Sequence, residues 1–159
     1  MTDTIVIVIS SIAMLLYFFV AAQGAFYIFG FAKAMYNLPV PSFIELRKTV
    51  DPVVRSRFKT LYLSTITIML IWVLVSDKSG GFWSYGLIFI AFLLLGTDLF
   101  LVVKASEPLN KTINGDISQT QESWNDLRNK WLKFILIRGS LSISGFVLLI
   151  AHLILQIFK

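Results

Sequence analysis

The feature that most restricts this chain is the run IVIVISSIAMLLYFFVAAQGAFYIFGFA, Ile5 to Ala32, which carries no charged residue. A bilayer core needs about 20 apolar residues in helical form, so this run is long enough to span with tilt or protrusion. Within lipid the backbone amides of such a run must bond to one another, which a helix does. Three further runs follow: Phe58 to Val75, FWSYGLIFIAFLLLGTDLFLVV from Phe82 to Val103, and FILIRGSLSISGFVLLIAHLILQIF from Phe134 to Phe158. Composition agrees, with 57% hydrophobic and 14% charged residues and a mean hydropathy of +0.79, far from a soluble domain. The predicted fold class is all-α. Residues 1–159 form one integral-membrane antiparallel four-helix bundle, with spans near 5–32, 58–75, 82–103 and 134–158 and helical extensions on the inner side.

Four spans put both termini and the 76–81 turn on one side, and the 33–59 and 104–133 segments on the other. Lys33, Arg47, Lys48, Arg55, Arg57 and Lys59 lie in the first of these segments. Lys104, Lys111, Arg128, Lys130 and Lys133 lie in the second, and Arg138 sits just inside the last span; only Lys78 and Lys159 fall opposite. The bias of Lys and Arg toward the cytoplasm predicts that both longer segments are cytoplasmic and both termini periplasmic, in a bacterial inner membrane. The sequence pI near 9.6 thus reflects topology, and nucleic acid is not an expected partner. A cleavable leader is not expected either, because no Lys or Arg precedes the first run. Phe82, Trp83 and Tyr85, with Trp72 nearby, fit an aromatic belt at the outer interface.

The inner segments carry helix punctuation. Ser42-Phe-Ile-Glu45, after Pro39 and Pro41, is a capping-box pattern, and so is Ser118-Gln-Thr-Gln121. Asp51-Pro52 reads as an N-cap followed by proline in the first turn, starting the second helix at Pro52. From Ser118 to Phe158 no proline interrupts, so one helix runs from the cytoplasm through the bilayer, with Gly139 as a candidate bend. Gly80-Gly81 reads as a tight turn.

Along the last helix, Trp124, Trp131, Arg138, Gly145 and His152 recur at a spacing of seven. Leu127, Phe134, Leu141, Leu148 and Leu155 form a neighbouring row that reads as the bundle-facing seam. The mixed row allows two readings. Its tryptophans anchor at the headgroups while Arg138 snorkels outward, or Arg138 points into the bundle and needs a partner. Asp98 is available, about 9 Å inside the end of the third span at Lys104. Gln23, ten residues before Lys33, lies in the same half. The expected polar cluster is Gln23, Asp98 and Arg138, either a structural pair or a functional pocket. His152 reads as a packing residue, the Ser140, Ser142, Ser144 and Gly145 set as close helix packing, and no metal or other cofactor is expected. The absence of cysteine excludes disulfides and thiolate chemistry.

The segment EPLNKTINGDISQTQESWNDLRNKWLKFILIRG resembles the DUF1772, or anthrone-oxygenase-like, family of small four-span membrane proteins. In that family the third span is followed by Pro, a hydrophobic residue and Asn, a polar linker, a Trp–Arg–Trp segment, and an Arg entering the last helix. Pro108-Leu109-Asn110, Trp124, Arg128, Trp131 and Arg138 occupy those places here. The resemblance covers roughly the last third of the chain, and its layout covers the whole. It implies oxidation of anthrones to anthraquinones by dioxygen, without metal or flavin. In that chemistry Asp98 and Arg138 are the candidate catalytic residues, as base and as oxyanion partner. Gln23, Asn110, Trp124, Arg128 and Trp131 are the candidate substrate-binding residues, and an Asp98–Arg138 ion pair would weaken the base. Two functions follow: an oxidoreductase or binding protein for an aromatic, quinone-like molecule, or a non-catalytic membrane protein that binds lipid or assembles with itself or a partner. Transport fits less well, because four spans leave little room for a path without oligomerisation.

Overall fold

A computed structural model of the chain describes residues 3–78, 82–115 and 120–157. Helix α1 (Asp3–Phe26) passes through a π-helical turn, Tyr27–Phe31, into α2 (Ala32–Asn37). Helix α3 (Val40–Val75) follows, then a π turn at Phe82–Gly86, α4 (Leu87–Leu101), a π turn at Val102–Ser106, α5 (Glu107–Asn114) and α6 (Gln121–Ile157). Among the described residues, four helical stretches are long and apolar enough to cross a membrane: Thr4–Asn37, Val40–Val75, Leu87–Asn114 and Gln121–Ile157. They form an antiparallel ring in which α1 packs on α3 and α6, and α4 packs on the other flanks of both. One end of the bundle carries Asp3 and Ile157. The other, here the loop end, carries the α2–α3 and α5–α6 connections.

The expected extensions are present, but their starting points differ from the sequence reading. α3 begins at Val40, with Pro39 as N-cap residue and no side-chain cap. Ser42 is therefore inside the helix and no capping box forms. Pro52 also lies inside α3 rather than opening it. It withholds the amide that would bond to Lys48 O, but Arg47 and Asp51 on the preceding turn bond across to Asn110 and Asn114. Those contacts hold the helix through the proline. The third helix likewise continues past Val103 to Asn114, with Pro108 in the first turn of α5 directly after a π turn. α6 begins at Gln121, where the Ser123 amide donates to the Thr120 hydroxyl at 3.3 Å, and it runs unbroken through Gly139. Ser118 and the Gly80-Gly81 turn lie outside the described residues.

The centre of the buried face of α6 is the mixed row, not the leucine row. Trp131, Arg138, Gly145 and His152 are buried, whereas Leu127, Phe134, Leu141, Leu148 and Leu155 are half-buried flanks. The reason is how closely α1 approaches. A Cβ added at Gly24 would lie 2.5 Å from Gly139 Cα, so the two backbones touch there. About two turns further on, the Tyr17 ring occupies the space a side chain at Gly145 would need, and its hydroxyl donates to Ala91 O at 3.0 Å. Only small residues fit such a crossing, which also puts Ser142 at the contact while Ser140 and Ser144 are exposed. Trp72 is another correction. It is buried edge-on against His152, at 5.7 Å between ring centroids, while Phe82 and Trp83 remain exposed as a belt requires.

Two apolar cores result. One, toward the termini, contains Tyr17, Met69, Trp72, Ile88, Leu95 and Leu149. The other, at the loop end, contains Met35, Phe43, Ile113, Trp131, Leu132 and Ile135. The first helical stretch reaches the second core because it turns at Gly30, whose φ of 153° lies outside what an L side chain adopts comfortably. The close crossing makes a simple prediction. Gly139→Leu lowers the Tm of the detergent-solubilised protein, at a cost of about 1–3 kcal/mol or more from overpacking. Gly96→Ala, where an added Cβ meets nothing within 4 Å, leaves the Tm unchanged or slightly raised.

Candidate functional site

Between the two cores the bundle is polar. Asp98 on α4 is fully buried, and Arg138 on α6 is 7% exposed. Arg138 Nε donates to Asp98 Oδ1 at 2.7 Å, and the Tyr62 hydroxyl of α3 donates to Asp98 Oδ2 at 2.7 Å. Arg138 Nη2 donates to the Tyr62 oxygen at 3.1 Å, and Nη1 to Ser106 Oγ at 3.4 Å. One guanidinium thus joins α6 to α3, α4 and the π turn after α4. Burying two charges costs several kcal/mol each, and only close pairing with further hydrogen bonds offsets that. The inward reading of Arg138 is the one realised.

A second polar layer lies toward the loop end. Arg47 Nη2 donates to Asp51 Oδ1 at 2.9 Å and to Asn110 Oδ1 at 3.1 Å. Trp131 Nε1 donates to the same Asn110 oxygen at 2.8 Å, and Asn114 Nδ2 to Asp51 Oδ2 at 2.8 Å. The Arg47 guanidinium lies 4.4 Å from the Trp131 ring centroid, a cation–π contact. Tyr27 and Phe43 meet the same indole edge-on. Nearby, Arg55 pairs with Glu107. Trp131 is therefore no headgroup anchor but the centre of this layer.

A cavity of about 680 Å³ runs along both layers. Gln23, Asn110, Trp131 and Arg138 line it, as do Arg47, Asp51, Tyr62 and Ser106. Gln23 shares this cavity wall with Arg138. Three of the sequence candidates do not line it. Asp98 stands behind Arg138 and Tyr62, with both carboxylate oxygens engaged. Trp124 packs half-buried on the loop-end core. Arg128 donates to Leu38 O at 2.6 Å and to Asn125 Oδ1 at 3.0 Å, and lies over the Tyr36 ring. It serves the carbonyl at the C-terminus of α2, a capping role.

Arg47, Asp51 and Tyr62 were missed in the sequence because Asp51 was read as an N-cap. A continuous helix through Pro52 puts Arg47, Asp51, Val54, Phe58 and Tyr62 on one face, at spacings of three and four. Among the described residues no three His, Asp or Glu side chains converge as a metal site requires. No family model, curated protein or solved structure matches this chain.

The buried pair yields a prediction. Arg138→Met alone strands the Asp98 carboxylate and destabilises the protein by about 3–5 kcal/mol, whereas Arg138→Met with Asp98→Leu recovers most of that loss. Denaturant titration of the parent, Arg138→Met, Asp98→Leu and the double variant in one micelle system measures the coupling.

Proposed function

We propose that the chain is a membrane-embedded binding protein or oxidoreductase for a flat aromatic or quinone-like molecule, of the anthrone-oxygenase-like kind. The observation that carries this reading is the cavity of about 680 Å³, within the range of small-molecule sites. Tyr27, Phe31, Phe58 and Trp131 give it aromatic walls, and Arg138 and Tyr62 give it a polar wall. An apolar ring packs on the aromatic side chains. A ring oxygen that gains negative charge faces a guanidinium that is already oriented by Asp98, so little reorganisation accompanies charge development.

In anthrone oxidation the ring methylene loses a proton to a base and the carbanion reacts with dioxygen. One oxygen atom becomes the new carbonyl and the other leaves as water. Arg138 would stabilise the anion. The Tyr62 hydroxyl touches both the cavity and Asp98, so proton movement between ligand and carboxylate passes through it. Asp98 then acts by positioning Arg138 and Tyr62 rather than by touching the ligand. The engaged state of the carboxylates also favours the second reading, binding without turnover. Besides Asp98, the cavity carboxylates Asp51 and Glu107 are held by Arg47 with Asn114 and by Arg55. Such a non-catalytic protein would hold a lipid or assemble with itself or a partner.

The surplus of Lys and Arg on the loop-end segments supports placing that end in the cytoplasm of a bacterial inner membrane. In this cysteine-free chain, Lys78→Cys in intact cells reacts with an impermeant maleimide and Lys130→Cys does not; the opposite pattern reverses the topology.

Native purification followed by mass spectrometry of bound small molecules tests the ligand class. Oxygen uptake with anthrones and quinols tests turnover. Tyr62→Phe keeps the ring and the Asp98–Arg138 pair, and lowers turnover about 100-fold if the hydroxyl moves the proton. A bound aromatic with no oxygen uptake selects the binding reading, and no ligand with no turnover across the panel overturns both.

A further inference from the structure

The shape of the cavity, and the way it opens, bear on which aromatic molecules it takes. It follows α3 from Arg47 to Leu63, a length of roughly 24 Å by helical rise, well beyond one small ring system. Its buried and half-buried polar groups gather on the inner wall: Arg138 and Tyr62 at one end, Arg47 and Asn110 toward the other. Its outer rim has two parts. Toward the loop end it carries the exposed cations Arg55 and Lys59; beyond them, Phe19 and Phe26 on α1 and Leu63 on α3 line the cavity, yet are 50%, 58% and 48% exposed. A residue that lines a cavity and is half exposed stands at its opening. All three are apolar and lie on stretches that cross the membrane, so this part of the opening faces lipid chains.

The backbone accounts for the gap. α1 packs on α3, and Ala13, Tyr17 and Val20 of α1 share the terminal-end core with Tyr62, Met69 and Trp72 of α3. At the Tyr27–Phe31 turn the chain bends at Gly30, and this turn and α2 pack mainly on α6 instead. The two walls therefore part on the side of the loop end, where the cavity lies.

We propose that the cavity is loaded sideways from the bilayer, through the gap between α1 and α3, by a tailed amphiphile whose acidic ring oxygen meets Arg138 and whose chain stays among Phe19, Phe26 and Leu63. The charges agree with such a head: Arg47, Arg55, Lys59 and Arg138 line the cavity, and Asp51, Glu107 and Asp98 behind the wall leave one positive charge in excess. A tail left in lipid keeps the hydrophobic contacts it already has, so binding needs to desolvate only the head. The proposal rests on the aromatic-ligand reading and narrows it to molecules that already reside in the membrane.

The test uses the full chain in zwitterionic lipid nanodiscs and two probes: 2-hydroxy-1,4-naphthoquinone, whose hydroxyl is acidic, bare or with a decyl chain on carbon 3. Affinities are expressed as mole fraction in the bilayer, so that partitioning of the tail cancels. Because a tail that stays in lipid adds nothing on this scale, the tailed probe is expected to bind within threefold of the bare ring, whereas a site closed to the bilayer would reject it at least tenfold. Leu63→Trp, and independently Phe19→Trp, narrow the gap and should weaken the tailed probe at least tenfold while leaving the bare ring within threefold of the parent. An unchanged Tm shows that each variant folds. Rejection of the tail by the parent protein, or tailed binding that survives both variants, overturns sideways loading and leaves the ring site standing. Failure of both probes to bind overturns the ring site as well. Displacement of the probe by phosphatidylglycerol at comparable mole fraction would make a lipid headgroup the occupant and overturn the ring ligand.

Discussion

The interaction on which the rest depends is the buried contact of Asp98 with Arg138, closed by the Tyr62 hydroxyl. In a medium of low dielectric neither charge is tolerable alone, so each helix carrying one must find the other. The contact involves α3, α4 and α6, and so fixes the rotation of three helices about their own axes. Apolar packing alone is poor at this, because lipid tails solvate leucine as well as another helix does. The fourth helix, α1, is held differently, by the backbone contact of Gly24 with Gly139 one residue from Arg138. Ion pair and glycine crossing are therefore one construction. The crossing sets how deeply α6 lies against α1, and the neighbouring residue then reaches α4 and α3.

The same construction keeps a cavity open in a bundle this small. Ridge-into-groove packing tends to fill space, and both cores do so. Between them the side chains are polar, and their geometry is dictated by hydrogen bonds rather than by volume. Arg47, Asn110 and Trp131 form a shared knot on a single amide oxygen, which braces α3 against α5 and α6 without closing the interior.

Much of the architecture was legible because apolar runs in lipid have so few solutions. The four helices, their antiparallel order and the helical extensions followed from run length and charge placement. The Asp98–Arg138 contact was legible as one of two readings of intramembrane charges at matching depth, and the burial of Arg138 selects it over snorkelling. What misled was local punctuation. Asp51-Pro52 has the residue types of a helix start, and only the cross-chain partners Asn110 and Asn114 show why the helix passes through. The leucine row looked like the seam because large apolar residues usually make one, whereas a glycine crossing places small and polar residues at the centre. Trp124 shares a row with Trp131 and Arg138, and Arg128 sits on the edge beyond the leucine row, but the helix makes its last contact with the cavity at Trp131. Whether a residue near a site faces it is a matter of a third of a turn, finer than spacing alone resolves.

The separation of the two cores by a polar layer has a consequence for how the molecule comes apart. Units that share few apolar contacts open with separate free energies, and the loop-end core is tied to the rest mainly through hydrogen bonds and the continuous rods of α3 and α6. Its amides should exchange with solvent before those around Trp72 and Leu149 do. A molecule occupying the space between the cores touches both, and so converts two loosely linked units into one cooperative body.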